Sequence, residues 1–526
     1  MGAVGFVKGF YGGVSADEPR AALAGRDVLT AGGSAADAAT AIYFMLSVTM
    51  PSAAGLGGGG MCLVRDPGSQ KVETLDFLGQ PSSGPGAKVM VPGNPRGIFA
   101  LHAKFGRLDW RELIRPAENV ARFGGNISRA FAEDMQRGAN QVLASPYGRQ
   151  VYADTNGNLR REGAAIRQPD LAATLALIRA RGAGAIYTGA SARELAEGAA
   201  RVGVGITYSD LKAYLPIWRS TIRVPFVEAT DIHFPMPRTP QGTLGAKMSA
   251  ALVTEERYQD AAEQERGHLI SEAIQRAAAD GARGFKSVTV ERQVQTVESK
   301  FKWATQQLSY TQIDPSYAER LMQGYSAGQL VELAKNGLDA DPQRLLGGET
   351  SFSVVDITGG AVACSLTMNG SFGTGKVLPG TGVFLANHAE VAGLRDLSLG
   401  AVIVDHRLHN TVFLAGSASG GPASQAVLAQ VTMAATLRDG SSLEQDIAKR
   451  DRVFRDVAQR ITYVEQGAAT QFVNDLKRRG HRVSMVPGLS RVNMAFCDRG
   501  LPAKDGNTTC AIHTDPRGFG FATTPG

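Results

Sequence analysis

Three sets of residues in this sequence have types and spacings that could do chemistry. The run Gly55-Leu56-Gly57-Gly58-Gly59-Gly60 lets backbone approach a ligand or another backbone closely. As a phosphate-cradling loop it lacks the Gly-Lys-Ser/Thr ending, so that reading is set aside. The eight histidines are scattered. His406 and His409 are neighbours, but no third ligand at metal spacing accompanies them, and they read as strand-edge and turn residues. No metal and no cofactor is expected. Of the four cysteines, Cys62 and Cys364 lie inside apolar strand-like runs and read as buried, inert thiols. Cys497 and Cys510 flank the turn-rich stretch Asp498–Thr509. They either close a small disulfide or stand as two free thiols, since spacing alone does not decide. A bridge would imply an oxidising compartment.

The elements that must position these residues can be read from periodicity. Ala21–Thr30 is apolar at helical spacing and Gly32-Gly33 stops it. Ser34, three residues before Asp37, resembles a capping box for a helix over Ala35–Val48 that is apolar nearly all round and therefore buried. Two strands follow the glycine run, Met61–Arg65 and Val72–Phe77, joined by an Asp66-Pro67-Gly68 turn. Arg96–Phe105, Trp110–Phe123 and Asp170–Arg181 read as helices, as does most of 255–347, most clearly Glu265–Arg283. Near Leu346 the character changes to strands: Ser351–Asp356, Ala361–Met368, Val383–Asn387, Ala401–Asp405 and Thr411–Ala415. A helix over Ala423–Arg438, another over 443–460 and a strand–helix–strand tail complete a mixed α and β layout.

The chain has 526 residues, 43% hydrophobic and 20% charged, enough for a large core. The net charge of +6 is mild over this length and no dense Lys/Arg block is present, so a nucleic-acid partner is not expected. No run approaches the ~20 apolar residues of a membrane span. Met1–Gly13 lacks a basic start followed by an apolar core, so no signal peptide is expected.

Taken in order, several motifs resemble the γ-glutamyltransferase family over nearly the whole chain. They are Ala31–Ala39 (AGGSAADAA) with Ser52–Gly60 (SAAGLGGGG), then Val91–Arg111 (VPGNPRGIFALHAKFGRLDWR), then His268–Arg283. The most specific is Gly348–Gly382 (GETSFSVVDITGGAVACSLTMNGSFGTGKVLPGTG), followed by Ala415–Gly421 (AGSASGG) and Thr514-Asp515-Pro516-Arg517. The resemblance implies an N-terminal-nucleophile hydrolase of the α+β class, a four-layer αββα sandwich. It implies a zymogen that cleaves itself, with a large-subunit-like segment 1–349 and a small-subunit-like segment 350–526 that stay associated. It implies an acyl-enzyme on an N-terminal Thr, whose free amine is the base. The donor is a small-molecule amide or γ-glutamyl compound, as in glutathione metabolism, and the acceptor is water or an amine. The family is commonly periplasmic or extracellular.

Carried over residue by residue, the resemblance makes Thr350 the candidate nucleophile, with cleavage between Glu349 and Thr350 after the flexible Gly347-Gly348. The bland alternative is a β-branched residue opening a strand. Counted without a gap from Ser353, however, Glu349 takes the nucleophile's place and Ser351 that of the family's His. Either a one-residue deletion lies here or the nucleophile is gone, and a one-residue slip turns a strand's side chains to the other face. Thr367 and Asn369 match the family's Thr-x-Asn, as assistant to the nucleophile's amine and as a substrate contact. Gly420 and Gly421 match the pair whose N–H groups stabilise the oxyanion. Leu78 stands where the family's Arg clamps the substrate carboxylate, and leucine cannot replace a bidentate guanidinium. His388 stands where the family often has Gln. Glu390 either grips the substrate amine or is a solvated loop acid. The resemblance thus leaves two readings: an autoprocessing acyltransferase with altered donor specificity, or an unprocessed, silent homologue with a binding role.

Overall fold

The structure, a computed structural model, describes residues 11–280, 285–295, 303–333, 347–388, 399–437, 442–503 and 510–525. The first helical layer forms where small apolar residues crowd. At the start of the helix Ala35–Thr49, the Ser34 hydroxyl accepts the Asp37 N–H at 3.2 Å and the Asp37 carboxylate accepts the Ser34 N–H at 2.9 Å. This reciprocal box satisfies two donors that the helix itself cannot. Every residue of that helix is buried, and it packs against Pro19–Thr30, Asn94–Phe105 and Trp110–Phe123.

Beneath it lies a seven-stranded sheet in the order Phe521–Thr523, Gly12–Ala16, Glu349–Asp356, Ala361–Thr367, Gly59–Arg65, Val72–Asp76, Ile217–Arg219. An eight-stranded sheet follows, in the order Cys510–Thr514, Arg491–Leu501, Thr411–Ser419, Gly400–His406, Thr230–Phe234, Ile222–Pro225, Trp303–Ile313, Phe285–Gln295. Strand side chains alternate between faces with period two. Phe352, Val354, Val362 and Leu366 therefore join the core of the first helical layer, while Leu63, Val355, Ala363, Ala401, Ile403 and Ala415 meet between the sheets. On the far side Val402, Val404, Leu414 and Met494 pack against Leu244–Val253, Glu263–Ala279 and Ser424–Leu437. This is the four-layer αββα arrangement. Both sheets draw strands from either side of residue 350, so the two segments read from sequence share one pair of sheets.

The glycine run packs backbone on backbone. A Cβ on Gly57 would stand 2.0 Å from the Phe384 carbonyl oxygen, and one on Gly59 would stand 2.7 Å from the Gly79 nitrogen. Several sequence expectations need correction. The stretch 255–347 is not helical throughout: after Glu263–Ala279 come the paired strands Phe285–Gln295 and Trp303–Ile313. The helix expected over 443–460 ends at Ala448, and a strand runs over Val453–Asp456. Val383–Asn387 is a strand only at Val383–Phe384. Cys62 and Cys364 are not free thiols. They face each other across antiparallel strands and form a disulfide. Cys497 and Cys510 form a second one, also between paired strand residues.

One buried chain of polar contacts ties the second helical layer to the small sheet Val453–Asp456, Ile461–Glu465, Val483–Val486. His268 Nδ1 lies 2.8 Å from His481 Nε2, His268 Nε2 lies 2.8 Å from the Ser326 carbonyl, and His481 Nδ1 lies 2.9 Å from the Thr462 hydroxyl. A carbonyl can only accept, so His268 carries a proton on Nε2, and the 2.8 Å contact between the rings admits only one N–H, so both cannot be charged together. Burial, and then the neighbouring His268, pushes the His481 pKa down to about 3; burial lowers that of His268 as well. An unfolded chain binds these protons near pH 6.5. The stabilisation is therefore complete above that pH and is lost as pH falls toward 3. The urea midpoint is expected to fall from pH 7.5 to pH 5, and to fall less in His481→Gln. A midpoint that is flat over this range, or equally steep in the variant, would contradict the assignment.

Candidate active site

The strand Glu349–Asp356 decides the site. Ser351 and Ser353 point between the sheets: Ser353 Oγ donates to the Asn493 carbonyl (3.0 Å) and lies 2.9 Å from Ser417 Oγ, and Ser351 Oγ accepts from Asn493 Nδ2 (3.0 Å). Glu349 shares their parity. Its Oε2 accepts the N–H of Gly420 at 3.0 Å and of Gly421 at 2.8 Å. Both glycines have positive φ, +108° and +102°, a conformation that L side chains rarely adopt. It aims two consecutive N–H groups at one oxygen. The N–H groups of Gly420 and Gly421 thus converge on a carboxylate of the chain itself.

Thr350 stands on the opposite face with Phe352 and Val354, fully buried. Its hydroxyl donates to Asp17 Oδ2 at 3.2 Å. The structure therefore brings Glu349, and not Thr350, to the glycine pair, which is the face reversal that a one-residue shift produces.

Asp17 is the hub of this region, and sequence reasoning missed it. It follows the strand Gly12–Ala16 and is 3% exposed. Its Oδ2 also accepts from the Ser351 N–H (2.9 Å) and Ser419 Oγ (2.7 Å), and its Oδ1 from Asn493 Nδ2 (2.7 Å). Arg491 stands beside it, with Nε 3.9 Å from Asp17 Oδ2 and Nη2 donating to the Glu349 carbonyl at 3.0 Å. An acidic residue just before a helix looks like an ordinary cap in sequence. Nothing local marks its partners more than 300 residues away.

Thr367 is the direct cross-strand partner of Glu349 and lies on the same face; its Oγ1 accepts the Asn369 N–H at 2.9 Å. Asn369 has φ +53° and interlocks with Asn387: each side-chain amide donates to the other's carbonyl, at 2.8 and 2.9 Å. Asn369 Oδ1 is buried without a hydrogen-bond partner among the described residues. His388 follows Asn387 and is half-buried. Glu390 lies outside the described residues. Leu78 is buried with Met61 and Leu399. Arg238, unforeseen from sequence, donates to the Leu78 carbonyl at 2.9 Å, but its fork is engaged with both oxygens of Asp76 at 2.7 and 2.8 Å.

Among the described residues, Asp231, His233 and Asp405 converge closely enough for a metal ion. Arg223 and Arg407 already pair with Asp231, at 3.2 and 2.9 Å, and Arg65 lies 3.4 Å from Asp405. A cation there would have to displace charges that are in place.

A family model described as Gamma-glutamyltranspeptidase matches residues 21–523. The chain is 29% identical over 408 residues to the glutathione hydrolase proenzyme of Pseudomonas aeruginosa, covering 71% of this chain and 67% of that protein. It is 29% identical over 413 residues to the acylase ACY 1 proenzyme of Pseudomonas sp. strain SE83, covering 72% and 69%. These matches span about two thirds of each relative's length. Among solved structures, cephalosporin acylase from Bacillus halodurans aligns with a TM-score of 0.76 over 99% of this chain and 97% of that one. At 20% identity that likeness speaks for the fold.

Proposed function

The chain belongs to the gamma-glutamyltranspeptidase family and is built as an enzyme of the N-terminal-nucleophile hydrolase type, for γ-glutamyltransferase-like amidohydrolase or acyl-transfer chemistry; from that premise we propose that it stays one uncleaved polypeptide whose acyl-transfer centre is held by its own Glu349. In this reading it serves binding rather than turnover. The observation that carries it is the Glu349 carboxylate on the Gly420 and Gly421 N–H groups. An acyl donor must place its carbonyl oxygen on those donors to gain their stabilisation. With a carboxylate there, and a glutamate where a hydroxyl nucleophile is needed, neither acylation nor self-cleavage has its reacting group in place.

A second reading has an observation of its own. The Thr350 hydroxyl donates to a carboxylate that can act as base, and the preceding carbonyl accepts from Arg491. That geometry favours cleavage between Glu349 and Thr350. The segments would stay associated through their shared sheets and act through Thr350 on acyl donors. Leu78 in the carboxylate-clamp position then points to donors without a free α-carboxylate. Relatives named glutathione hydrolase and acylase mark the range of amide donors to screen, with water or an amine as acceptor. In either reading the two disulfides favour an oxidising, periplasmic or extracellular setting.

Intact mass of the purified protein separates the readings. One unbroken chain after long incubation is expected. Two fragments with a boundary before Thr350, absent in Thr350→Ala, would replace the first reading by the second.

A further inference from the structure

The support for the glycine pair does not come from Glu349. Ser424 donates to the Gly421 carbonyl through its N–H at 3.1 Å and its hydroxyl at 2.8 Å. The Ser490 hydroxyl reaches the Gly420 carbonyl at 3.5 Å. Ser490 is pinned in turn: Arg452 Nη1 donates to its carbonyl at 2.9 Å, while Arg452 Nη2 donates to Asp515 Oδ2 at 2.6 Å. The same Asp515 oxygen accepts the Val492 N–H at 3.0 Å. Arg452 and Asp515 are both almost fully buried. Two N–H groups are thus held toward one point by groups that remain when the Glu349 side chain is removed, and such a concavity of backbone donors favours an anion.

We propose that this concavity is a binding site for small carboxylates, with Glu349 as its tethered competitor. The inference rests on the uncleaved reading. A carboxylate suits the place because one already sits there with two charge-assisted hydrogen bonds. Across the strand from Glu349, the Thr367 hydroxyl oxygen accepts the Asn369 N–H. A tethered group competes at a high effective concentration, of the order of millimolar or more. Free carboxylates must therefore bind the native chain far more weakly than a chain lacking that side chain.

The test uses acetate as probe, titrated into the full-length protein and into Glu349→Ala at constant ionic strength, with acetamide as the neutral counterpart. The readout is the thermal midpoint. In Glu349→Ala the midpoint is expected to rise with acetate to a plateau, with half-saturation at least ~10-fold lower than in the native chain. Acetamide is expected to leave it unmoved. Glu349→Gln keeps the size of the resident group without its charge, and is expected to respond to acetate at lower concentration than the native chain. Equal responses to acetate and acetamide, or equal half-saturation in native and variant chains, would overturn the proposal. Intact mass taken on the same samples keeps the two questions apart. A cleaved native chain would overturn the uncleaved reading and this proposal with it, whereas an unbroken chain with no acetate response in Glu349→Ala overturns the carboxylate site alone.

Discussion

Glu349→Thr is expected to split the chain in two, with the new boundary before residue 349. The substitution replaces the carboxylate on the glycine pair by a hydroxyl on the same strand face, directly across from Thr367. The preceding residues suit a cleavage site. Gly347 and Gly348 have φ of +113° and +73°, and the Gly348 carbonyl accepts the Met368 N–H at 2.8 Å, which polarises the bond to be broken. Freeing two backbone donors restores a stabilisation that is worth about 3–4 kcal/mol per donor in enzymes that rely on it. The measurement is intact mass over days, alongside the native chain and Thr350→Ala. A Glu349→Thr chain that stays whole would show that a hydroxyl at 349 is not sufficient, and would move attention to Ser351, two residues along on the same face.

The second large effect concerns stability. Asp17→Ala is expected to lower the free energy of unfolding by about 3–5 kcal/mol, because it leaves the Ser351 N–H and the Thr350 and Ser419 hydroxyls without this acceptor, removes one acceptor of the Asn493 amide and leaves Arg491 without its nearest carboxylate. Asp17→Asn should recover only part of this. One of its two positions becomes a donor and faces donors. Urea unfolding of the three chains gives the values, and a loss of less than ~1 kcal/mol in Asp17→Ala would mean that the network is not the joint between the strand ends that its geometry suggests.

Much of the fold was legible because its signals are local. The Ser34–Asp37 box needs only four residues, and the all-apolar helix behind it announces a buried position. The motif residues Thr367, Asn369 and Gly420-Gly421 gather at one end of the two sheets. The face that Thr350 takes was not legible. A hydroxyl residue opening a strand looks the same in either register, and what fixes the register is Ser417 and Asn493 on the other sheet. The Phe285–Gln295 strand was lost in polar composition, although Val288 and Val290 alternate with period two. Cys62 and Cys364 are 302 residues apart, and nothing in their spacing reports that two strands set them opposite each other.

The strand Gly12–Ala16 is made long before either of its neighbours: Glu349–Asp356 pairs with it on one side and Phe521–Thr523 on the other. During synthesis its ladder hydrogen bonds and the buried helix Ala35–Thr49 have no finished sheet to rest on until the strand Glu349–Asp356, more than 300 residues later, has been made. Such sequence-distant pairing makes assembly slow and leaves apolar surface open to wrong partners meanwhile. Yield from a heterologous host should therefore depend on translation speed and on chaperones that hold nascent chains, more than on the stability of the finished sandwich.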